Sequence, residues 1–330
     1  MRTLTLALVL ALSGCGGGGS TSTSTPIPPP VPSGSIEREI SPVTIDPRVD
    51  TATEPHVAIS PATNVPAANR LFVFLSGTGG TPENYRLILR AGAALGYHTI
   101  GINYPNAEAV GVLCANSDDP NCYWDVRREV ITGSDSSPMV NVNVPNAIVT
   151  RLTEAIAFLQ QNYPNEGWGQ YLAGNAIDWS KINIAGHSQG GGHAGVMTKL
   201  YAMNRACYFA SPPDFSLHFN APATWTGKSD LTATSRQYGF THLQDPLVPY
   251  SELSLIWQQM GLNAFGAARS ADLGVASLGS VHMVTTNATP ADNGPSASPY
   301  HGVTVQDNVT PLDANGEPAF APIWKYLCFQ

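Results

Sequence analysis

The chain has 330 residues, 43% hydrophobic and 8% aromatic, enough apolar material to bury a sizeable core and too much for a wholly disordered or fibrous chain. Charged residues make up only 12%, the net charge is −8, and there is no basic run, so nucleic acid is excluded as an expected partner. A surface this poor in charge takes its polarity from Ser, Thr, Asn, Gln and backbone, which suits an exported protein.

In chain order, Arg2 is the only charge ahead of the apolar run Leu4 to Leu12, which is too short to span a bilayer. Residues 1–14 therefore read as a signal peptide. The junction Leu12-Ser13-Gly14-Cys15 resembles the lipobox of bacterial lipoproteins. That resemblance implies cleavage before Cys15 and a lipid on Cys15 that holds the protein to a membrane of the bacterial cell envelope. Gly16 is not the Asp that marks inner-membrane retention in some bacteria, so the outer membrane is preferred. Residues 15–35, with Gly16 to Gly19 and a Ser/Thr/Pro-rich run, read as a flexible tether. Residues 36–330 remain as one domain, expected to be a monomer.

Setting Cys15 aside, Cys114, Cys122, Cys207 and Cys328 form an even set for an oxidising compartment, open to three pairings. Cys114 and Cys122 lie close in a loop, which favours that pair together with Cys207–Cys328. No Cys/His spacing typical of zinc occurs, and no metal or cofactor is expected.

Strands are expected at Glu39–Ile45, His56–Ser60, Leu71–Leu75 and His98–Asn103, with a helix over Pro82–Leu95. The run Leu71-Phe72-Val73-Phe74-Leu75 is continuously apolar, as for a strand covered on both faces. Strand, helix and strand in that order indicate a parallel crossover. Tyr104–Pro145 is too long for a plain connection and reads as a functional rim. A helix follows at Asn146–Tyr163, then a strand at Ile182–Ala185 and a helix carrying Val196, Leu200 and Met203. Further strands are expected at Cys207–Ala210, Gln237–His242 and Val281–Thr286, and helices at Ser251–Met260 and Pro322–Leu327. The fold class is α/β, with a mostly parallel central sheet flanked by helices.

Between the strand at 182–185 and its following helix stands Gly186-His187-Ser188-Gln189-Gly190. A G-x-S-x-G between strand and helix resembles the nucleophile elbow of the α/β-hydrolase superfamily, and the resemblance extends from about Val57 to the C-terminus. It implies that 36–330 is a catalytic domain with Ser188 as nucleophile and Gly186, His187 and Gly190 forming the elbow. A serine hydroxyl needs a base, and the base a carboxylate to orient it. The family order is serine, acid, histidine. Asp245, in Asp245-Pro246-Leu247-Val248-Pro249, resembles the family's acid turn. Only His282 and His301 follow it; His282 sits in an apolar run, so His301 is the expected base, brought over the serine by a loop. His187 and His193 read as packing or rim residues. For the oxyanion the resemblance implies the N–H of Gln189 and one donor from Ser76-Gly77-Thr78-Gly79-Gly80, with Thr78 preferred and Gly77 next. The short interval from Ser211 to Arg236 leaves room for only a minimal cap. Phe215, Phe219, Trp225, Tyr123 and Trp124 can form an apolar rim or pack in the core.

The expectation is an exported, lipid-anchored serine hydrolase that cleaves small or polymeric carboxylic esters through an acyl-enzyme. A peptidase or amidase with the same triad, and an inactive surface binding protein on a hydrolase scaffold, are the alternatives.

Overall fold

The computed structural model describes residues 31–330. The signal peptide, Cys15 and most of the tether lie outside the described residues.

Nine strands form one sheet: β1 (Ile36–Ile40), β2 (His56–Ser60), β3 (Leu71–Leu75), β4 (His98–Ile102), β5 (Ile182–His187), β6 (Arg205–Phe209), β7 (Gln237–His242), β8 (Arg269–Ser270) and β9 (Met283–Thr286). Their spatial order is β1-β2-β4-β3-β5-β6-β7-β9-β8. The β1/β2 and β2/β4 pairs are antiparallel and every other pair is parallel. The seven principal helices are α1 (Arg86–Ala94), α2 (Cys122–Thr132), α3 (Ile148–Asn162), α4 (Gln189–Leu200), α5 (Tyr250–Gln259), the single turn α6 (Pro299–Gly302) and α7 (Ala321–Cys328).

Side chains alternate between the faces of a strand, and β3 shows why its run has to be apolar throughout. Leu71, Val73 and Leu75 join a core with Val126, Leu152, Ile156 and Val196, from α2, α3 and α4. Phe72 and Phe74 join a second core with Leu87, Ile88, Trp324 and Leu327, from α1 and α7. Helices thus cover both faces, the arrangement expected for a mostly parallel sheet.

Both expected disulfides are present, with Cα–Cα distances of 5.6 Å for Cys114–Cys122 and 5.9 Å for Cys207–Cys328, inside the bridging range. The second ties α7 to β6.

Two expectations need correction. The first strand runs Ile36–Ile40, and Pro42–Ile45 is instead a helical turn, because Pro42 has a fixed φ that suits a first helical position and has no N–H for a ladder. The interval 104–145 is not simply a loop: it holds a turn at Val110–Cys114 and the eleven-residue α2. Its hydrophobic pattern is interrupted because α2 buries Arg127 and Glu129 along with Val126 and Val130. The two-residue edge strand β8 has no counterpart among the expected strands, since nothing in so short a segment distinguishes it from loop.

Candidate active site

The chain passes β3 in opposite directions, to β4 on one side and to β5 on the other, so the carboxyl ends of β3 and β5 flank a topological switch point, where open α/β sheets place their ligands. Leu75 pairs with Gly186 across this junction, which sets Ser76 and Gly77 beside His187 and Ser188.

Ser188 links β5 to α4 with φ 52° and ψ −118°, a conformation costing about 1–3 kcal/mol in a residue with a side chain. Three hydrogen bonds hold it: its N–H donates to the Phe209 carbonyl at 2.9 Å, and its carbonyl accepts from Gly192 N at 3.1 Å and Ser211 Oγ at 2.7 Å. The turn closes so tightly that a Cβ on Gly186 would lie 2.2 Å from the Gly190 carbonyl carbon, and one on Gly190 would lie 2.1 Å from the Leu75 oxygen. The flanking glycines are therefore steric necessities.

Asp245 follows β7 in a buried turn. Its Oδ1 accepts from the N–H groups of Leu247 at 2.9 Å and Val248 at 3.1 Å, and its Oδ2 lies 2.7 Å from His301 Nδ1. His301 thus donates from Nδ1, leaving Nε2 as the ring nitrogen available to Ser188; both residues line one cleft. His301 sits on α6 rather than in an open loop, because Pro299 starts a helical turn there. His282 is elsewhere. Its Nδ1 bonds the Gln237 carbonyl at 2.8 Å, its ring stacks between Tyr238 and Phe265, and burial pushes it down to about 4.

His187 is more than a packing residue. Tyr85 Oη lies 3.0 Å from its Nδ1, and its Nε2 lies 3.0 Å from the His301 carbonyl oxygen. Burial pushes this imidazole down to about 3, so it is neutral. His193 packs edge-on against Tyr104, and neither of its ring nitrogens has a hydrogen-bond partner among the described residues.

The loop after β3 is fixed by side chains. Tyr104 Oη donates to the Ser76 carbonyl at 2.6 Å, and Asn106 Nδ2 donates to the carbonyls of Gly77 and Gly80, both at 2.8 Å. Gly77 N–H donates to Tyr85 Oη at 3.1 Å, so it is already engaged. Among the described residues the Thr78 N–H has no acceptor. Gln189 opens α4, where the first N–H groups lack intrahelical partners. Its side-chain Oε1 accepts from Thr78 Oγ1 and from Val110 N, each at 3.0 Å, fastening the two donor residues to one another.

Beneath α4 lies a wholly buried ion pair. Arg127 grips both carboxylate oxygens of Asp214 and sends Nη1 to the Gln189 carbonyl at 2.9 Å, while Trp225 Nε1 donates to Asp214 Oδ2 at 2.6 Å. No spacing in the sequence marks Tyr85, Arg127 or Asp214 as part of this framework.

The cleft is about 690 Å³ and lies open to solvent. Apart from its histidines, Glu252 is the one ionisable acid or base of its lining besides the Tyr85 phenol. Val112, Leu217 and Leu247 stand at its mouth with 77%, 58% and 59% of their surface exposed. Val112 rides on the turn held by Cys114–Cys122, and the N–H groups of Leu217 and His218 both bond the Ala115 carbonyl. Of the aromatic residues expected at the rim, Phe215 lines the cleft and Phe219 is exposed. Trp225 and Tyr123 belong to the core, and Trp124 lies under Lys228.

Among the described residues, no group of three or more His, Cys, Asp or Glu side chains is arranged to hold a metal ion, and no helix is long and apolar enough to cross a membrane. No protein-family model matches the chain, and no curated protein matches its sequence.

Proposed function

We propose that the protein is a serine hydrolase of the α/β-hydrolase type that cleaves carboxylic esters through an acyl-enzyme. The observation that carries this reading is the pairing of His301 Nδ1 with the buried Asp245 at 2.7 Å in the cleft that also presents Ser188 from a strained turn. In this reading His301 Nε2 takes the proton of Ser188 as Oγ attacks the ester carbonyl. The N–H groups of Thr78 and Gln189 hold the negative charge that develops on the carbonyl oxygen. Collapse expels the alcohol, which takes its proton from His301. Water, deprotonated in turn by His301, then releases the acid and restores Ser188.

Esters are favoured over peptides by the topology. Extended peptides commonly bind by adding a strand to a sheet edge. Here β5 is the central strand and the exposed edges are β1 and β8, on the flanks of the sheet. The nearly uncharged, partly apolar cleft favours neutral acyl and alcohol groups. With the signal and Cys15 of the sequence, the proposal places this hydrolase on the cell envelope through a lipid, with outer-membrane placement preferred.

The test uses residues 35–330 with p-nitrophenyl esters of increasing acyl length, peptide amides, and a fluorophosphonate probe. Ester turnover and labelling that both disappear in Ser188→Ala support the proposal. Amide cleavage without ester cleavage selects a peptidase or amidase, and absence of labelling selects an inactive scaffold.

A further inference from the structure

We propose that Tyr85 is a positioning residue that sets the oxyanion loop against the catalytic base, through the relay Gly77–Tyr85–His187–His301. The inference rests on the triad reading above.

The direction of every hydrogen in the relay follows from its ends. The His301 carbonyl can only accept, so His187 Nε2 carries the hydrogen and donates to it at 3.0 Å. A neutral imidazole then has an acceptor at Nδ1, so Tyr85 Oη donates to it at 3.0 Å. The hydroxyl oxygen in turn accepts the Gly77 N–H at 3.1 Å. The alternative, an imidazolium donating from both nitrogens, is opposed by complete burial of the ring, and the same burial keeps the phenol protonated.

Three chain regions meet in this relay: the loop after β3, the elbow and α6. At one end it occupies the Gly77 N–H, which leaves Thr78 as the loop's free donor. At the other end it holds the backbone of the residue that carries the base. A second grip reinforces the first. Asp307, six residues beyond His301, accepts from the N–H groups of Arg86 at 2.8 Å and Leu87 at 3.1 Å, immediately after Tyr85. Tyr85 is rigid enough to serve as the hub: it is fully buried, with its ring 4.7 Å from that of Phe74.

The experiment combines Tyr85→Phe, His187→Phe, their double variant and His187→Gln in the full-length protein, with kcat and KM measured on a soluble p-nitrophenyl ester. Tyr85→Phe removes one oxygen, and the expected result is kcat down about 10- to 100-fold with KM within about threefold, because only the transition state uses the aligned donor. The double variant is expected to be no slower than the slower single, as for groups acting as one unit. His187→Gln, whose amide can both donate and accept, should recover part of what His187→Phe loses. Parental kcat in Tyr85→Phe, or single effects that multiply in the double variant, would overturn the proposal.

Histidine ¹⁵N spectra read the relay without turnover. They should show neutral His187 with its hydrogen on Nε2 from about pH 5 to 8, and an Nδ1–H tautomer or an imidazolium in that range would overturn the relay on its own. If Ser188 is neither labelled nor needed for turnover while this tautomer is found, the triad reading has failed and the positioning role fails with it, although the hydrogen-bond chain stands.

Discussion

Replacing Asp245 by Asn tests the triad through the tautomer it imposes on His301. In the parent, Asp245 accepts three hydrogens: two from the turn, Leu247 N and Val248 N on Oδ1, and one from His301 Nδ1 on Oδ2. An amide has one oxygen and one NH₂. Keeping the oxygen toward the turn preserves two hydrogen bonds at about 0.5–1.5 kcal/mol each, whereas turning it toward His301 sets the NH₂ against two N–H donors. The oxygen therefore stays with the turn and the NH₂ faces His301, which must accept at Nδ1 and carry its hydrogen on Nε2. That histidine cannot take the proton of Ser188. The expected loss in kcat is about 10⁴-fold, the size associated with a wrong-tautomer base, with KM little changed. Turnover of a p-nitrophenyl ester and the ¹⁵N spectrum of His301 report the two halves separately. Activity within tenfold of the parent, or a His301 that keeps its hydrogen on Nδ1, would refute the reasoning.

Arg127→Met strands the wholly buried Asp214 carboxylate and should destabilise the protein by about 3–5 kcal/mol, read as a lowered urea midpoint. The Arg127→Met/Asp214→Leu double variant should recover part of that loss, leaving the cost of the orphaned Trp225 N–H and of the Gln189 carbonyl that loses its Arg127 donor; a double variant less stable than Arg127→Met would contradict this account. Acid should weaken the fold through its buried neutral histidines. His56 and His187 are pushed down to about 3 by burial, so below the ordinary value of 6.5 the unfolded chain binds protons that the folded one does not. Between pH 6.5 and 5 these two residues together remove about 3 kcal/mol of stability and His282, pushed down to about 4, adds to the loss, while Asp307, pushed up to about 7 by burial, takes its proton first in the folded chain and returns about 2 kcal/mol. A urea midpoint that is level across that range would exclude the effect. Gly190→Ala should abolish ester turnover or folding outright, since its Cβ would sit 2.1 Å from the Leu75 oxygen; a folded, fully active variant would show that the turn is looser than described.

Much of the site is local in origin and was legible along the chain. A serine at a strand-to-helix turn needs small neighbours on both sides, and Gly186 and Gly190 announce that need at fixed spacing. The apolar run of β3 announces burial on both faces, and an aspartate before proline announces a turn. The disulfide partners were favoured partly by nearness along the chain, which holds for Cys114 and Cys122. Cys207 and Cys328 followed as the remaining pair.

The framework around the site was decided by the tertiary structure, because its parts are distant in sequence and share no periodicity. Tyr85 reaches His187, Arg127 reaches Asp214, and Asp307 caps the start of α1, each across a long stretch of chain. The order β4-β3-β5 brings the first of these contacts about, by placing the ends of β3 and β5 side by side. Sequence alone therefore offered a serine, an aspartate and two histidines as candidates for nucleophile, acid and base, since the chemistry of those side chains belongs to residue types in local turns. Only the fold decided which N–H groups remain free, which histidine meets Asp245, and that His187 bridges Tyr85 to the backbone of His301, because hydrogen bonds depend on positions in space.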